Sequence, residues 1–223
     1  MAALRRHQLA WLSATGWERV LRMRFDEAVA PVLQAWAARR LPLVVARQHR
    51  TAEGCVTLGW PAPRAAGRQR VALEVPLACV SWFDEFPYAS EALAMLPRGA
   101  RRAVQSLLAD LRGQGARPRV YGSYGWQLLS GLAYVHDASD LDWWIAVRNR
   151  EHADEVAASL EGFDWKGLRL DGELMFGDGT AVSWREYAAW RAGRTRGLLV
   201  KRLTDVEVVE ALELAPWCEG AAA

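Results

Sequence analysis

The sequence predicts an α+β protein: a small α+β unit over residues 1–82, then a larger half, residues 83–223, in which helices and strands alternate. Three observations carry that expectation. The run "RQRVALEV" alternates strictly, with Val71, Leu73 and Val75 on one face and Arg70, Ala72 and Glu74 on the other. Val104, Leu107, Leu108 and Leu111 recur at the i, i+3, i+4 and i+7 spacing of an amphipathic helix. Between them, Pro76, Pro87 and Pro97 bracket an aromatic-rich passage whose changed texture marks the boundary between the two units.

Taken in order, Asp26 to Arg40 reads as a helix ending in cations that suit the negative end of its dipole. "LPLVVAR" and "CVTLGW" read as strands and precede the alternating run. The helix through Val104 and Leu111 meets a stop signal at Gly113. A strand "RVY", a turn at Gly122-Ser123, a helix from Tyr124 to Ser130 and a strand from Asp140 to Val147 follow. Next come a helix over Glu151 to Leu160, the strand "LRLDGELMF", a helix near Arg185 to Ala192 and the strand "LLVKRL". In "LRLDGELMF", Leu168, Leu170, Leu174 and Phe176 take one side and Arg169, Asp171, Glu173 and Met175 the other.

Composition narrows the class. A chain of 223 residues with 52% hydrophobic and 24% charged residues can bury a core without staples and is not an extended disordered protein. Its twelve tryptophans read as core filling. A net charge of +2 is too mild for a dedicated nucleic-acid binder, so no nucleic-acid partner is expected. Cys55, Cys79 and Cys218 lie far apart and are odd in number, which fits a reducing cytoplasm better than a disulfide framework. Arg5 and Arg6 precede only the short apolar patch Leu9 to Leu12, and no run is long enough for a bilayer. A cytoplasmic protein without a membrane partner is the expectation.

The chemistry concentrates in residues 120–147, "VYGSYGWQLLSGLAYVHDASDLDWWIAV". Gly122-Ser123 stands between a strand and a helix, where backbone N–H groups and the helix dipole favour phosphate. Asp140 and Asp142, two apart on a strand, point to one face with Cα atoms roughly 6.5 Å apart. Leu141, Trp143, Ile145 and Val147 take the other face, and Trp144 joins the carboxylates. Acids this close raise each other's pKa unless a cation intervenes. Magnesium, with manganese as the alternative, is the cation that carboxylates hold together with substrate phosphates. The next acidic strand offers Asp171 and Glu173 as a third carboxylate, and the choice between them stays open. Together these parts describe a phosphoryl or nucleotidyl transfer site.

Other residues carry less. His136 and Asp137 read as loop surface, and His7, His49 and His152 have no metal-like spacing. Arg194, Arg196 and Lys201 read equally as polyphosphate contacts or as a solvated basic face.

Gly-Ser, then Asp-x-Asp, then an acidic strand resembles the nucleotidyltransferase fold of the polymerase-β type. The string "VYGSYGWQLLSGLAYVHDASDLDWW" narrows this to the phosphoribosyl-dephospho-CoA transferase of malonate decarboxylase, its holo-acyl-carrier-protein synthase. "LDGELMFGDGTAVSWREY" and "RGLLVKRL" look like later blocks of that family, and "RHQLAWL" and "LPLVVARQ" like its N-terminal domain. The sixteen residues 124–139 between Ser123 and Asp140 exceed the usual superfamily interval but match the narrower family.

The resemblance implies a nucleotidyltransferase-like mixed sheet flanked by helices after the small N-terminal α+β domain. It implies a triphosphoribosyl-dephospho-CoA donor and, as protein partner, the acyl carrier subunit of malonate decarboxylase. In the implied reaction a serine of that subunit attacks the α-phosphate and pyrophosphate leaves. Asp140 and Asp142 would hold magnesium, with Asp171 or Glu173 assisting catalysis. Gly122, Ser123, Trp126, Gln127 and Lys201 would bind substrate. The N-terminal unit would wall the cleft, with Arg47, Arg64, Arg68 and Arg70 meeting donor phosphates or an acidic carrier. The competing readings are another nucleotidyltransferase using ATP or CTP, and a non-catalytic module that binds a carrier protein or nucleic acid.

Overall fold

In a computed structural model, residues 4–64, 67 and 69–211 are described. Cys218 and Arg68, both singled out from the sequence, lie outside them.

Strand β1 (Leu9–Leu12) opens the chain and leads into helix α1 (Ala14–Leu21), whose N-cap Ser13 accepts the Gly16 N–H at 3.1 Å. Helix α2 (Ala30–Ala38) has Pro31 in its first turn, a position that needs no N–H. It is shorter than the Asp26–Arg40 expectation: Asp26 accepts the Val29 and Ala30 N–H groups ahead of the helix, and Arg40 turns left-handed at φ 51° after it. Strands β2 (Leu43–Val45), β3 (Cys55–Pro61), β4 (Arg70–Pro76) and β5 (Val80–Asp84) complete an antiparallel sheet in the order β4-β3-β2-β1-β5.

Helix α3 (Arg98–Gly113) buries Val104, Leu107 and Leu111. Its last helical residue is Gly113 itself, and the left-handed residue that turns the chain is Gly115, at φ 85°. Then come β6 (Arg119–Val120), α4 (Gly122–Ser130), β7 (Leu141–Ala146), α5 (Arg150–Glu161) and β8 (Leu170–Met175). Strand β9 (Ala181–Ser183), helix α6 (Trp184–Arg191), β10 (Leu198–Lys201) and β11 (Val206–Val209) follow. The second sheet runs β11-β10-β9-β8-β7-β6 and is mixed, because β7 and β8 pair in parallel while their other neighbours are antiparallel. The crossover between the parallel strands is α5, as parallel pairing requires.

Each sheet has its own core. Leu141, Trp143, Ile145 and Val147 pack with Leu168, Leu170, Leu174 and Phe176, the faces that alternation assigned. The tryptophans fill cores as composition suggested, with Trp36, Trp60 and Trp143 fully buried, although Trp82 remains half exposed and stacks on Trp11.

Helix α4 bolts the halves together. Trp126 sits in the N-terminal core at 5% exposure, its ring 5.7 Å from Trp36 and 5.2 Å from Phe86. At the helix end, Arg39 donates to the Ser130 carbonyl at 2.6 Å, and the Tyr134 hydroxyl donates to the Pro61 carbonyl at 2.7 Å. Trp126→Ala removes the ring that joins α4 to the N-terminal sheet. A loss of about 3 to 5 kcal/mol in unfolding free energy is expected in urea denaturation, the usual cost of truncating a buried aromatic.

Candidate active site

The site is built where β6 turns into α4. The Tyr121 N–H donates to the Asp142 carbonyl at 3.0 Å and fastens the end of β6 to β7. Gly122 then adopts φ 60°, and a Cβ there would lie 2.0 Å from Asp142 Oδ2. Only a residue without a side chain admits the carboxylate against the helix start. Tyr121 gives no side-chain cap and the first turn holds no acid, so the first N–H groups of α4 are left for another acceptor. Ser123 lines the cleft beside them.

Three aspartates gather around that turn. Asp142 and Asp171 are register partners on the parallel strands β7 and β8. Asp140 precedes β7 rather than starting it, so the strand is shorter than the Asp140–Val147 expectation. Arg169 spans the pair on either side, donating to Asp140 at 2.9 Å and to Asp171 at 2.6 Å. Burial pushes the Asp142 carboxyl up from 3.8 to about 7, and the negative charges of Asp140 and Asp171 add to it against the opposing pull of Arg169.

Glu173 differs from the aspartates. It is buried and bonded to His7 Nε2 and Lys201 Nζ, both at 2.7 Å, with Arg6 at 4.0 Å. Burial would raise its pKa, but His7 and Lys201 outweigh that and hold it well below the usual carboxylate range. The His7 ring also lies 4.3 Å from that of Tyr121, whose phenol is raised by burial and by the Glu173 and Asp142 charges. Between Asp171 and Glu173, Gly172 takes φ 140°, where a Cβ would strike the Trp143 carbonyl at 1.8 Å.

A cleft of about 740 Å³ lies between the two sheets. Ser123, Asp142, Glu173 and Lys201 line it from the C-terminal half, and Arg47, Arg64 and Arg70 from the N-terminal sheet. Asp140 and Arg169 open instead on a second groove, and Asp171 lines neither depression. Among the residues expected to bind substrate, Trp126 reaches the cleft wall but is mostly core. Gln127 is not among the lining residues: its Oε1 accepts the N–H groups of Tyr134 and Val135 at 3.0 and 2.9 Å and holds the following loop. Trp144 is buried under the Arg119 guanidinium and does not line the cleft. Arg194 pairs with Glu161 away from the site.

Three participants carry no local signal in the sequence. His7 reaches Glu173 across 166 positions of chain, and His136, read as loop surface, lines the cleft. The third, Arg169, sits on the polar side of its strand, but nothing in its spacing announces the bridge it makes.

Among the described residues, no three or more His, Cys, Asp or Glu side chains already converge to hold a metal ion. The donor set still suits a hard divalent cation, since Asp140, Asp142 and Asp171 all offer carboxylate oxygens.

An uncapped helix start beside clustered aspartates, with Asp142 on a large cleft, has the chemistry of a site that handles phosphate groups. Comparison with known proteins then places the chain. The profile described as the phosphoribosyl-dephospho-CoA transferase MdcG C-terminal domain matches residues 86–211, and the corresponding N-terminal domain profile matches residues 5–86. A phosphoribosyl-dephospho-CoA transferase of Xanthomonas axonopodis pv. citri is 36% identical over 214 residues, covering 95% of this chain and 96% of that protein. One from Bradyrhizobium diazoefficiens is 35% identical over 206 residues, covering 92% and 89%. No solved structure gives a significant match. The chain belongs to the phosphoribosyl-dephospho-CoA transferase family.

An acid raised in the fold binds its proton more tightly there than when unfolded. Asp142 therefore costs stability as pH rises from about 4 towards 7 and exerts its full penalty above that. Asp142→Asn is expected to raise the unfolding free energy by roughly 2 to 4 kcal/mol at about pH 8 in chelator, and by close to nothing near pH 3.5, measured by denaturant titration.

Proposed function

We propose that this chain attaches the 2'-(5''-phosphoribosyl)-3'-dephospho-CoA group to a serine of the apo acyl carrier subunit of malonate decarboxylase, acting as its holo-acyl-carrier-protein synthase. The donor is the triphosphate precursor. The serine Oγ forms a bond to the α-phosphorus, the bond from that phosphorus to the β-phosphate bridge breaks, and pyrophosphate leaves. Family membership over nearly the whole chain supports the reaction class. One observation carries the assignment to these residues: the Asp142 carboxylate lies against the start of α4 where only Gly122 fits, and both line the cleft.

The residue roles follow from charge and position. The N–H groups at the start of α4 and the Ser123 hydroxyl take phosphate oxygens. Asp140 and Asp142 would hold magnesium, or manganese in its place, and the ion would supply charge neutralisation on the triphosphate. Asp171 is the third carboxylate, across the parallel pair from Asp142, and takes the serine proton. Glu173 is committed to His7 and Lys201, so its part is to hold that cationic rim beside the departing pyrophosphate. Such a site works by positioning and by neutralising charge as it develops. The C-terminal half would then be a nucleotidyltransferase-like domain following the N-terminal domain. We place the reaction in the cytoplasm; among the described residues, no helix is long and apolar enough to cross a membrane.

Mass analysis of apo carrier subunit incubated with the donor, magnesium and enzyme tests the reading. The wild type is expected to add one phosphoribosyl-dephospho-CoA per carrier. Asp140→Asn and Asp142→Asn are each expected to slow it by roughly a hundredfold to a thousandfold, as loss of one preorganised electrostatic contact does. Modification from ATP or CTP instead, or variants that work like the wild type, would remove the proposal.

A further inference from the structure

We infer that the N-terminal wall of the cleft is a subsite for an adenosine diphosphate ester, the dephospho-CoA half of the donor, with Arg47, Arg64 and Arg70 taking its diphosphate. The inference rests on the reaction proposed above and goes beyond it. The donor carries two polyphosphates: the triphosphate that reacts and the diphosphate that joins adenosine to pantetheine. An enzyme that neutralises charge at phosphate must keep the second away from its acids.

The charges in the cleft are sorted to do this. At the catalytic end the cations are already engaged: Lys201 and Arg6 with Glu173, and Arg169 with Asp140 and Asp171. At the other end Arg47, Arg64 and Arg70 line the same cleft, all exposed, and none of their guanidiniums has an ion-pair or hydrogen-bond partner among the described residues. Three unpaired guanidiniums on one wall present planar donor forks suited to phosphate.

The floor between them suits a flat ring. On the open face of the sheet, Arg70 stands opposite Pro61 and Ala72 opposite Gly59. A Cβ on Gly59 would come 3.3 Å from Val44 Cγ1 and 3.9 Å from the Ala46 Cβ, so Val44, Ala46, Gly59 and Ala72 form a low surface of small side chains. The large neighbours Leu58, Trp60 and Leu73 point the other way, into the core. With about 740 Å³, the cleft has the volume of a site for a ligand of this size.

Calorimetric titration of the full chain with dephospho-CoA, in chelator, tests the subsite without any turnover. Saturable binding is expected for the wild type. Arg47→Ala/Arg70→Ala is expected to bind at least about tenfold more weakly, since each charge-assisted contact is worth about a factor of ten or more. Arg47→Lys/Arg70→Lys should recover part of the loss. Circular dichroism should be unchanged, both sites being exposed. Adenosine and pantetheine, which lack the diphosphate, should bind weakly.

No binding of dephospho-CoA by the wild type, equal binding by the alanine variant, or a variant defect confined to affinity for the carrier would overturn the subsite. The two readings fail separately. Arginine-dependent binding of dephospho-CoA by an enzyme that leaves the carrier unmodified sinks the reaction and spares the subsite. Transfer by the alanine variant with an unchanged KM for the donor does the reverse.

Discussion

Everything in the site depends on one contact between backbone and side chain: the Asp142 carboxylate occupies the space that a side chain at position 122 would fill. That fit brings an acid to the positive end of α4, and the Tyr121 N–H bond to the Asp142 carbonyl keeps the two elements in step. Burial and the neighbouring aspartates then make the acid reluctant to ionise, so the site waits for positive charge. In this arrangement Arg169 meets part of that demand by bridging Asp140 and Asp171. The divalent ion proposed for the site would meet the rest.

The second constraint is the joint between halves. Trp126 ties α4 to the N-terminal core from one side of the helix, while the first turn of the same helix faces the cleft. His7, held at φ 63° just before β1, reaches Glu173 and so couples the N-terminal segment to the cationic rim. The N-terminal sheet is thereby a wall of the site rather than an appendage. Its loss would take away a core contact, a catalytic-end cation partner and the arginine-bearing face together.

Elements with a buried face and a strong period were legible in the sequence. The alternation around Leu73 and Val75 and the stripe of α3 follow from one-sided burial, whereas β7 and β8, read from the same alternation, also bury Trp144, Glu173 and Met175 on their other face. Elements that owe their existence to a partner were not. Strands β5, β9 and β11 are short, and β11 exposes Val206 and Val208, so no alternation marks it. In the site, Gly122, Ser123 and Asp142 could be named from spacing because turn, helix and strand follow one another locally. The His7 bond to Glu173 and the arginine bridge of Arg169 arise from tertiary approach, which spacing does not encode. Gln127 illustrates the opposite error: an amide beside the motif reads as a ligand contact, yet it holds the loop at Tyr134 and Val135.

The fit at position 122 can be examined directly by manganese electron paramagnetic resonance in the presence of the donor, comparing the wild type with Gly122→Ala. A Cβ must push the carboxylate away from the helix start, so the account predicts a bound-manganese signal in the wild type and its loss in the variant, with circular dichroism of the two alike. Equal manganese binding by both proteins would contradict it.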